Sequence, residues 1–314
     1  MEPTRVIFMG SPEFAVPVLE ALLGRPASFA VVGVVTQPDK PAGRGRLLTP
    51  PPVKLAAIAA GLPVLQPTKM KIDATRDSLA ALRPDVVVVA AYGRILPPAL
   101  LAIPSAGCVN VHASLLPRHR GASPIHHAIL AGDPEVGVAI MRMEAGLDTG
   151  PVYAMHAVPM PARASAVSLS PLLAALGAEL LLAVLPDIVA GTLTPTPQDE
   201  RAATYAPLLA KEDGRLDFGE PAAALERRVR AMTPWPGAFA VVGGRRLLVT
   251  EAEVVDGGRG EVGVVQVADK HGVVVACRDG GLRLLTVQPE GRKLMPAGAW
   301  VAGRGVQVGE RLGS

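Results

Sequence analysis

Asp85-Val86-Val87-Val88-Val89-Ala90-Ala91 is an almost unbroken valine run with no alternating polar position to offer to water. A strand of that composition is buried on both faces, which is the situation of a parallel sheet covered by helices on either side. The surrounding chain supplies the partners. Arg5 to Met9 is a β-branched, apolar run that stops at Gly10-Ser11-Pro12, after which Phe14, Val18, Leu19 and Leu22 recur at helical spacing. Ser11 suits a helix cap and Pro12 a first turn. Val31 to Thr36, Pro63 to Leu65 and Gly107 to His112 read as further strands, with helices at Val53 to Ala60 and Asp73 to Leu82. Strands alternating with helices predict right-handed β-α-β units and an open, mostly parallel sheet. A single glycine occupies the first turn, so the G-x-G-x-x-G fingerprint of a dinucleotide site is absent and a nicotinamide cofactor is not supported.

Beyond this run the pattern changes in steps. Val136 to Met143 and Pro151 to Val158 read as strands, and Ser165 to Val189 as an Ala/Leu-rich helix closing a first domain. Pro195, Pro197 and the charged Gln198-Asp199-Glu200-Arg201 mark a linker. After a helix at Ala222 to Ala231, short valine-rich runs with glycine turns follow: Ala238 to Val242, Arg245 to Val255, Gly260 to Val267, Gly272 to Cys277 and Leu282 to Val287. That spacing predicts a small antiparallel β-barrel. The expected organisation is a domain over 1–190, a linker over 191–211 and a barrel domain over 212–314.

Length and composition agree with this division. At 314 residues the chain has room for two cores, and 49% hydrophobic with 19% charged residues belongs to a folded soluble protein. The longest apolar segment, Leu172 to Leu185, is broken by Glu179, and the first residues, Met1-Glu2-Pro3-Thr4-Arg5, lack a signal-peptide pattern. A cytoplasmic location with no membrane partner is therefore expected. Cys108 and Cys277 sit in apolar segments of different domains and read as small buried hydrophobes, neither bridged nor nucleophilic. The net charge of +3 permits a polyanionic partner, while 3% aromatic residues argue against a base-stacking platform. Phosphate contacts would dominate any nucleic-acid binding.

The chemistry-bearing stretch is Cys108-Val109-Asn110-Val111-His112-Ala113-Ser114-Leu115-Leu116-Pro117-Arg118-His119-Arg120-Gly121, joined by Gly146-Leu147-Asp148-Thr149-Gly150. On a strand Asn110 and His112 share a face. An amide donor can stabilise an oxyanion, an imidazole can move a proton near neutral pH, and a carboxylate such as Asp148 can orient the imidazole, so the set suits acyl transfer. Spacing alone leaves open a structural Asn-x-His pair. Four of the six histidines fall between His112 and His127, a clustering that favours the chemical reading. His126 and His127 are adjacent, point about 100° apart on a helix and cannot form one metal face. Gln37 to Pro52, rich in Gly and Pro with Lys40, Arg44 and Arg46, reads as a long structureless insertion that orders on an anionic surface.

These segments resemble the methionyl-tRNA formyltransferases, a family of the 10-formyltetrahydrofolate-dependent formyltransferases. The match covers nearly the whole chain: Val6 to Phe14, the Gln37 to Gly45 insertion, Asn110 to Gly121, Gly146 to Gly150, Thr204-Tyr205-Ala206 and Pro234-Trp235-Pro236. The resemblance implies a Rossmann-like N-terminal domain and an OB-like C-terminal barrel that helps to hold tRNA. It implies Asn110, His112 and Asp148 as the catalytic trio, with Asp148 keeping His112 charged. The folate co-substrate would be bound by Ser114, Leu115, Leu116 and Pro117 and by the backbone of Tyr92, Gly93, Ile95 and Leu96. Initiator methionyl-tRNA would meet Lys40, Arg44 and Arg46, with Arg44 at the position of the family's important arginine, and Arg245, Arg283, Arg292 and Lys293 on the barrel. No metal is implied, and the chain is expected to act as a monomer.

The chain departs from the family pattern at His119, where a larger aromatic or long side chain is usual, at Ala162 to Ser165, and after Met295, where the last barrel strand is uncertain. Formyltransferases acting on glycinamide ribonucleotide or an amino sugar nucleotide would share the trio without needing the insertion or the barrel. An RNA-binding protein without catalysis is the alternative from another class, and the intact trio argues against it.

Overall fold

The computed structural model describes residues 2–42, 47–70, 73–258 and 260–313. Two compact units share the chain: 1–124, 135–159 and 170–207 form the first, and 125–134, 160–169 and 208–314 the second. The segment expected as a linker thus has its residues up to Pro207 in the first unit.

In chain order the first part runs β1 Thr4–Gly10, α1 Val16–Leu23, β2 Phe29–Val35, β3 Lys40–Ala42, β4 Leu47–Thr49, α2 Pro52–Ala59, β5 Val64–Leu65, α3 Asp73–Ala80, β6 Val86–Ala90, α4 Pro98–Leu101, β7 Cys108–His112, β8 Arg120–Gly121, α5 Pro124–Ala131, β9 Glu135–Arg142, β10 Val152–Pro159 and α6 Ala166–Ala190. A sheet with order β10-β9-β7-β6-β1-β2-β5 is parallel from β7 to β5 and antiparallel at β9 and β10. The valine run is β6, at the middle, and all five of its residues are buried. Alternate side chains enter two different cores. Val86, Val88, Val6 and Phe8 pack with α1, α2 and α6, whereas Val87, Val89, Ile7 and Met9 pack with Leu79 of α3 and Leu100 of α4. This is the two-faced burial that the composition predicts.

The chain order reverses between β1 and β6, and the carboxyl ends of β1, β6 and β7 therefore border the crevice where open α/β sheets bind ligands. Val109 and Val111 of β7 face α6, leaving Asn110 and His112 on the opposite face. Gly177 permits the close approach of α6, since a Cβ there would lie 2.6 Å from Val111 Cγ1. By length and composition α6 could cross a membrane, even though Glu179 interrupts its apolar run. Its Ala178, Leu181, Leu185 and Ile188 pack into the core shared with β1 and β6.

The insertion differs from the structureless loop expected: β3 and β4 pair antiparallel, Lys40 opposite Thr49 and Ala42 opposite Leu47. Arg44 and Arg46 lie outside the described residues. After β11 Tyr205–Ala206 comes an antiparallel domain: α7 Ala222–Met232, β12 Ala238–Val242, β13 Arg245–Val255, β14 Val265–Asp269, β15 Gly272–Ala276, β16 Gly281–Pro289, β17 Met295–Pro296 and α8 Ala297–Ala302. Its strands run β12-β13-β16-β15-β14, with β17 on β16. Leu225, Val229 and Met232 of α7 enter its core beside Val249, Val273, Val275, Leu282 and Leu284. The tail after Met295 adds a short strand and then the α8 helix, whose Trp300 closes this core, rather than a last long strand.

Candidate active site

Period two on β7 places Asn110 and His112 side by side, 8% and 5% exposed. The chain then turns through Ala113 to Pro117, closed by Ser114 Oγ donating to the Arg118 carbonyl at 2.6 Å. Leu116 anchors the turn against Ala139 and Met141 of β9. His119 follows in the left-handed region at φ 59°. That conformation aims its carbonyl at His112 Nε2, 3.1 Å away. A carbonyl only accepts, so the partner assigns a hydrogen to Nε2.

The other ring nitrogen, Nδ1, faces Asp148 Oδ2 at 3.8 Å, too far for a hydrogen bond. Asp148 also has a left-handed backbone, φ 54°, which aspartate tolerates better than most residues. Its Oδ2 accepts from the Gly121 N–H at 2.9 Å and its Oδ1 from Asn110 Nδ2 at 3.4 Å. The structure therefore joins the three residues of the expected trio into one contact set, with an amide and an imidazole flanking a carboxylate.

Sequence reasoning missed what holds this set. Residues 198–206 run along the turn: Thr204 Oγ1 accepts from the His119 N–H at 2.8 Å, Thr204 N donates to the Pro117 carbonyl at 3.2 Å, and β11 pairs in parallel with β8. Arg120 is 0% exposed. Its Nε donates to Gln198 Oε1 at 3.0 Å and its two terminal nitrogens to Glu200 at 2.9 and 2.8 Å. That guanidinium holds the Glu200 carboxyl below the usual carboxylate range. Gln198 Nε2 in turn donates to the carbonyls of Asp148 and Gly150 at 2.9 and 2.7 Å. An arginine at 120 and a glutamine followed by two acidic residues at 198–200 were all the sequence offered, and nothing in it places the two together across 80 positions.

The other expected residues are distributed unevenly. Ser114 and Leu116 are buried at the turn, with Leu115 and Pro117 half-buried. Tyr92 and Leu96 turn inward to the second core, Tyr92 donating its hydroxyl to Met70 Sδ, while Gly93 and Ile95 are exposed. Gln37 Nε2 takes the Tyr92 carbonyl at 2.8 Å, and Lys40 Nζ donates to Gln37 Oε1 at 2.6 Å. On the second unit, the Arg246 carbonyl accepts from Glu290 N, which brings Arg245 to the same sheet end as the turn bearing Arg292 and Lys293. Arg283 is opposite Glu253, while Leu247 is opposite Pro289, so Arg283 lies roughly 20 Å along the strand. It also forms an ion pair with Glu253 at 3.2 Å. Burial pushes the Cys108 thiol up to about 12, so this neighbour of the site stays protonated. Among the described residues no three His, Cys, Asp or Glu side chains gather as metal ligands would.

The family Formyl transferase matches residues 4–185 and Formyl transferase, C-terminal domain, matches 208–305. A methionyl-tRNA formyltransferase of Myxococcus xanthus is 50% identical over 313 residues, covering 99% of this chain and 98% of its own. The corresponding protein of Thermus thermophilus is 50% identical over 309 residues, covering 98% and 99%. Among solved structures, HypX from Aquifex aeolicus in complex with tetrahydrofolic acid superposes with a TM-score of 0.64 at 19% identity, over 97% of this chain and 47% of that one. An N-formyltransferase from Helicobacter canadensis, in complex with folinic acid and dTDP-3-aminofucose, gives 0.65 at 15%, over 91% and 99%. The structural likenesses establish the fold, and the full-length identity to the curated relatives goes further: the chain belongs to the methionyl-tRNA formyltransferase family.

Proposed function

We propose that this chain transfers the formyl group of 10-formyltetrahydrofolate to the α-amine of methionine esterified to initiator tRNA, giving N-formylmethionyl-tRNA. The observation that carries the reaction is the contact set of Asn110, His112 and Asp148 at the carboxyl edge of β7. The amine lone pair attacks the formyl carbon, and the carbonyl pair moves onto oxygen. Asn110 Nδ2 lies ready to donate to that oxyanion, and His112 carrying a proton on both ring nitrogens would donate to it from Nδ1, which the 3.8 Å gap to Asp148 leaves without a hydrogen-bond partner there. Asp148 takes the proton lost by the amine. Collapse of the oxyanion re-forms the carbonyl and breaks the carbon–nitrogen bond to the folate, whose nitrogen keeps the electron pair and takes the proton that Asp148 accepted. The residues present require no metal for these steps.

The supporting residues divide accordingly. Residues 1–190 would carry the chemistry, with Ser114, Leu115, Leu116, Pro117 and the backbone of Tyr92, Gly93, Ile95 and Leu96 lining the folate. Lys40, Arg44 and Arg46 would meet the acceptor arm, and the domain over 212–314 would hold the tRNA through Arg245, Arg292 and Lys293, with a smaller share from Arg283. The chain would work as a monomer in the cytoplasm, without a membrane.

Supplied with 10-formyltetrahydrofolate and methionyl initiator tRNA, the purified protein is expected to release tetrahydrofolate and form the formylated tRNA. Turnover with glycinamide ribonucleotide or an amino sugar nucleotide, and none with the tRNA, would overturn the assignment. Asn110→Ala removes one oxyanion donor and is expected to lower kcat about 10²-fold, read from single-turnover rates. Arg44→Ala is expected to weaken tRNA binding and to reduce the slope of log affinity against log salt by about one, since one phosphate contact releases about one counterion. Titration at several salt concentrations checks this, and equal slopes would count against a phosphate contact.

A further inference from the structure

Asp148 is held in a conformation that a non-glycine backbone rarely adopts, and the contacts that hold it lie outside the trio. Its left-handed φ of 54° turns the 148 carbonyl away from any strand partner. One side chain receives it. The Gln198 amide donates both to that carbonyl, at 2.9 Å, and to the Gly150 carbonyl, at 2.7 Å, spanning the loop on either side of Thr149. The amide cannot flip, because its oxygen accepts from Arg120 Nε at 3.0 Å. Arg120 is itself fixed: it is fully buried, forms a two-pronged pair with Glu200, and belongs to the β8–β11 ladder. Gly121, the next residue, donates its N–H to the Asp148 carboxylate at 2.9 Å. One buried guanidinium therefore sets both the backbone of Asp148, through Gln198, and a donor to its side chain, through the adjoining peptide.

We infer that Gln198, oriented by the Arg120–Glu200 pair, is the positioning residue that fixes the carboxylate of Asp148 against Asn110 and His112. It acts through Asp148, and the inference rests on the reading above that Asp148 takes part in the reaction. Gln198 reaches the loop only by its amide hydrogens. A carboxylate at 198 would still pair with Arg120 but would present oxygens to two carbonyl oxygens.

The test is Gln198→Glu together with Gln198→Ala, each made in the parent and in an Asp148→Asn background, with melting temperatures recorded for all. Both substitutions in the parent are expected to lower kcat roughly 10- to 100-fold, the scale of a misplaced reacting group, with KM for the folate within about twofold. In the Asp148→Asn background neither is expected to lower the residual rate further, because a residue that acts through Asp148 has nothing left to position. Gln198→Glu at the parent rate would overturn the inference, as it would show that pairing with Arg120 suffices. Equal fold losses in both backgrounds would overturn it as well, with the role of Asp148 intact. Near-parent turnover of Asp148→Asn alone would remove the assigned role of Asp148, and with it this inference.

Discussion

Asp148→Asn is expected to reduce formyl transfer by about 10²- to 10⁴-fold in a protein that still folds. Asparagine keeps the shape and, among non-glycine residues, is one of those that tolerate the left-handed backbone found at 148, so the loop itself is not strained further. What changes is chemical. The amide brings no charge to His112, whose Nδ1 faces this group, and it cannot take the amine's proton. A second cost comes from the hydrogen bonds. Both partners of the carboxylate are donors, Asn110 Nδ2 and the Gly121 N–H, so an amide can satisfy one and must point its own hydrogens at the other. That mismatch costs about 1–3 kcal/mol of stability, which a domain of ordinary stability survives. Circular dichroism with single-turnover rates decides the matter: a folded variant with near-parent turnover would remove Asp148 from the mechanism.

The features legible in the sequence were those whose cause is local. Val86 to Val89 read as buried on both faces because no polar alternation was present, and the two cores on either side of β6 are what such a run must have. Asn110 and His112 read as neighbours because a strand repeats every two residues. The approach of Asp148 had no such local cause and came from resemblance to a family. Residues 198–206 show the limit most clearly. Their charges, with Pro195 and Pro197 just before them, describe a linker by composition, yet Gln198, Glu200 and Thr204 hold the site through contacts with 117–121 and 148–150. Pairing of that kind depends on chain topology, and a two-residue ladder such as β8–β11 leaves no periodic signal. The burial of Arg120 was equally hidden, since arginine is rarely buried unless paired, and its partner lies far along the chain. The insertion read as a structureless loop because proline and glycine hid the short β3–β4 pairing. Of the barrel arginines, the strand pattern could not show that Arg283 meets an acidic neighbour across the sheet.

Gly150→Ala is expected to do as much damage as removing the carboxylate, although residue 150 bears no chemical group. The backbone there is pinned against β9 by the Arg142 N–H, which donates to the Pro151 carbonyl at 2.9 Å. A Cβ at 150 would fall on the Arg142 carbonyl oxygen, deep inside contact distance, and would lie 3.0 Å from the Arg142 carbonyl carbon and 3.3 Å from Met141 Cε. A flexible side chain could yield, but a paired backbone cannot. The chain at 150 must therefore move, dragging the Gly150 carbonyl from Gln198 and shifting Asp148, two residues back. Met141 transmits the displacement to Leu116, with which it packs under the turn after β7. Overpacking against backbone is expected to cost about 3 kcal/mol, a fall in Tm of roughly 5–10 °C for this size of domain. Misplacing Asp148 is expected to lower kcat about 10²-fold or more. Gly24→Ala serves as the control, because Gly24 has φ −68° and the nearest atom to a Cβ there is the Glu20 carbonyl oxygen at 3.4 Å. That change is expected to leave both Tm and kcat near the parent values. If Gly150→Ala behaves like Gly24→Ala in both measurements, the close approach of residues 142 and 150 is not what sets Asp148 in place.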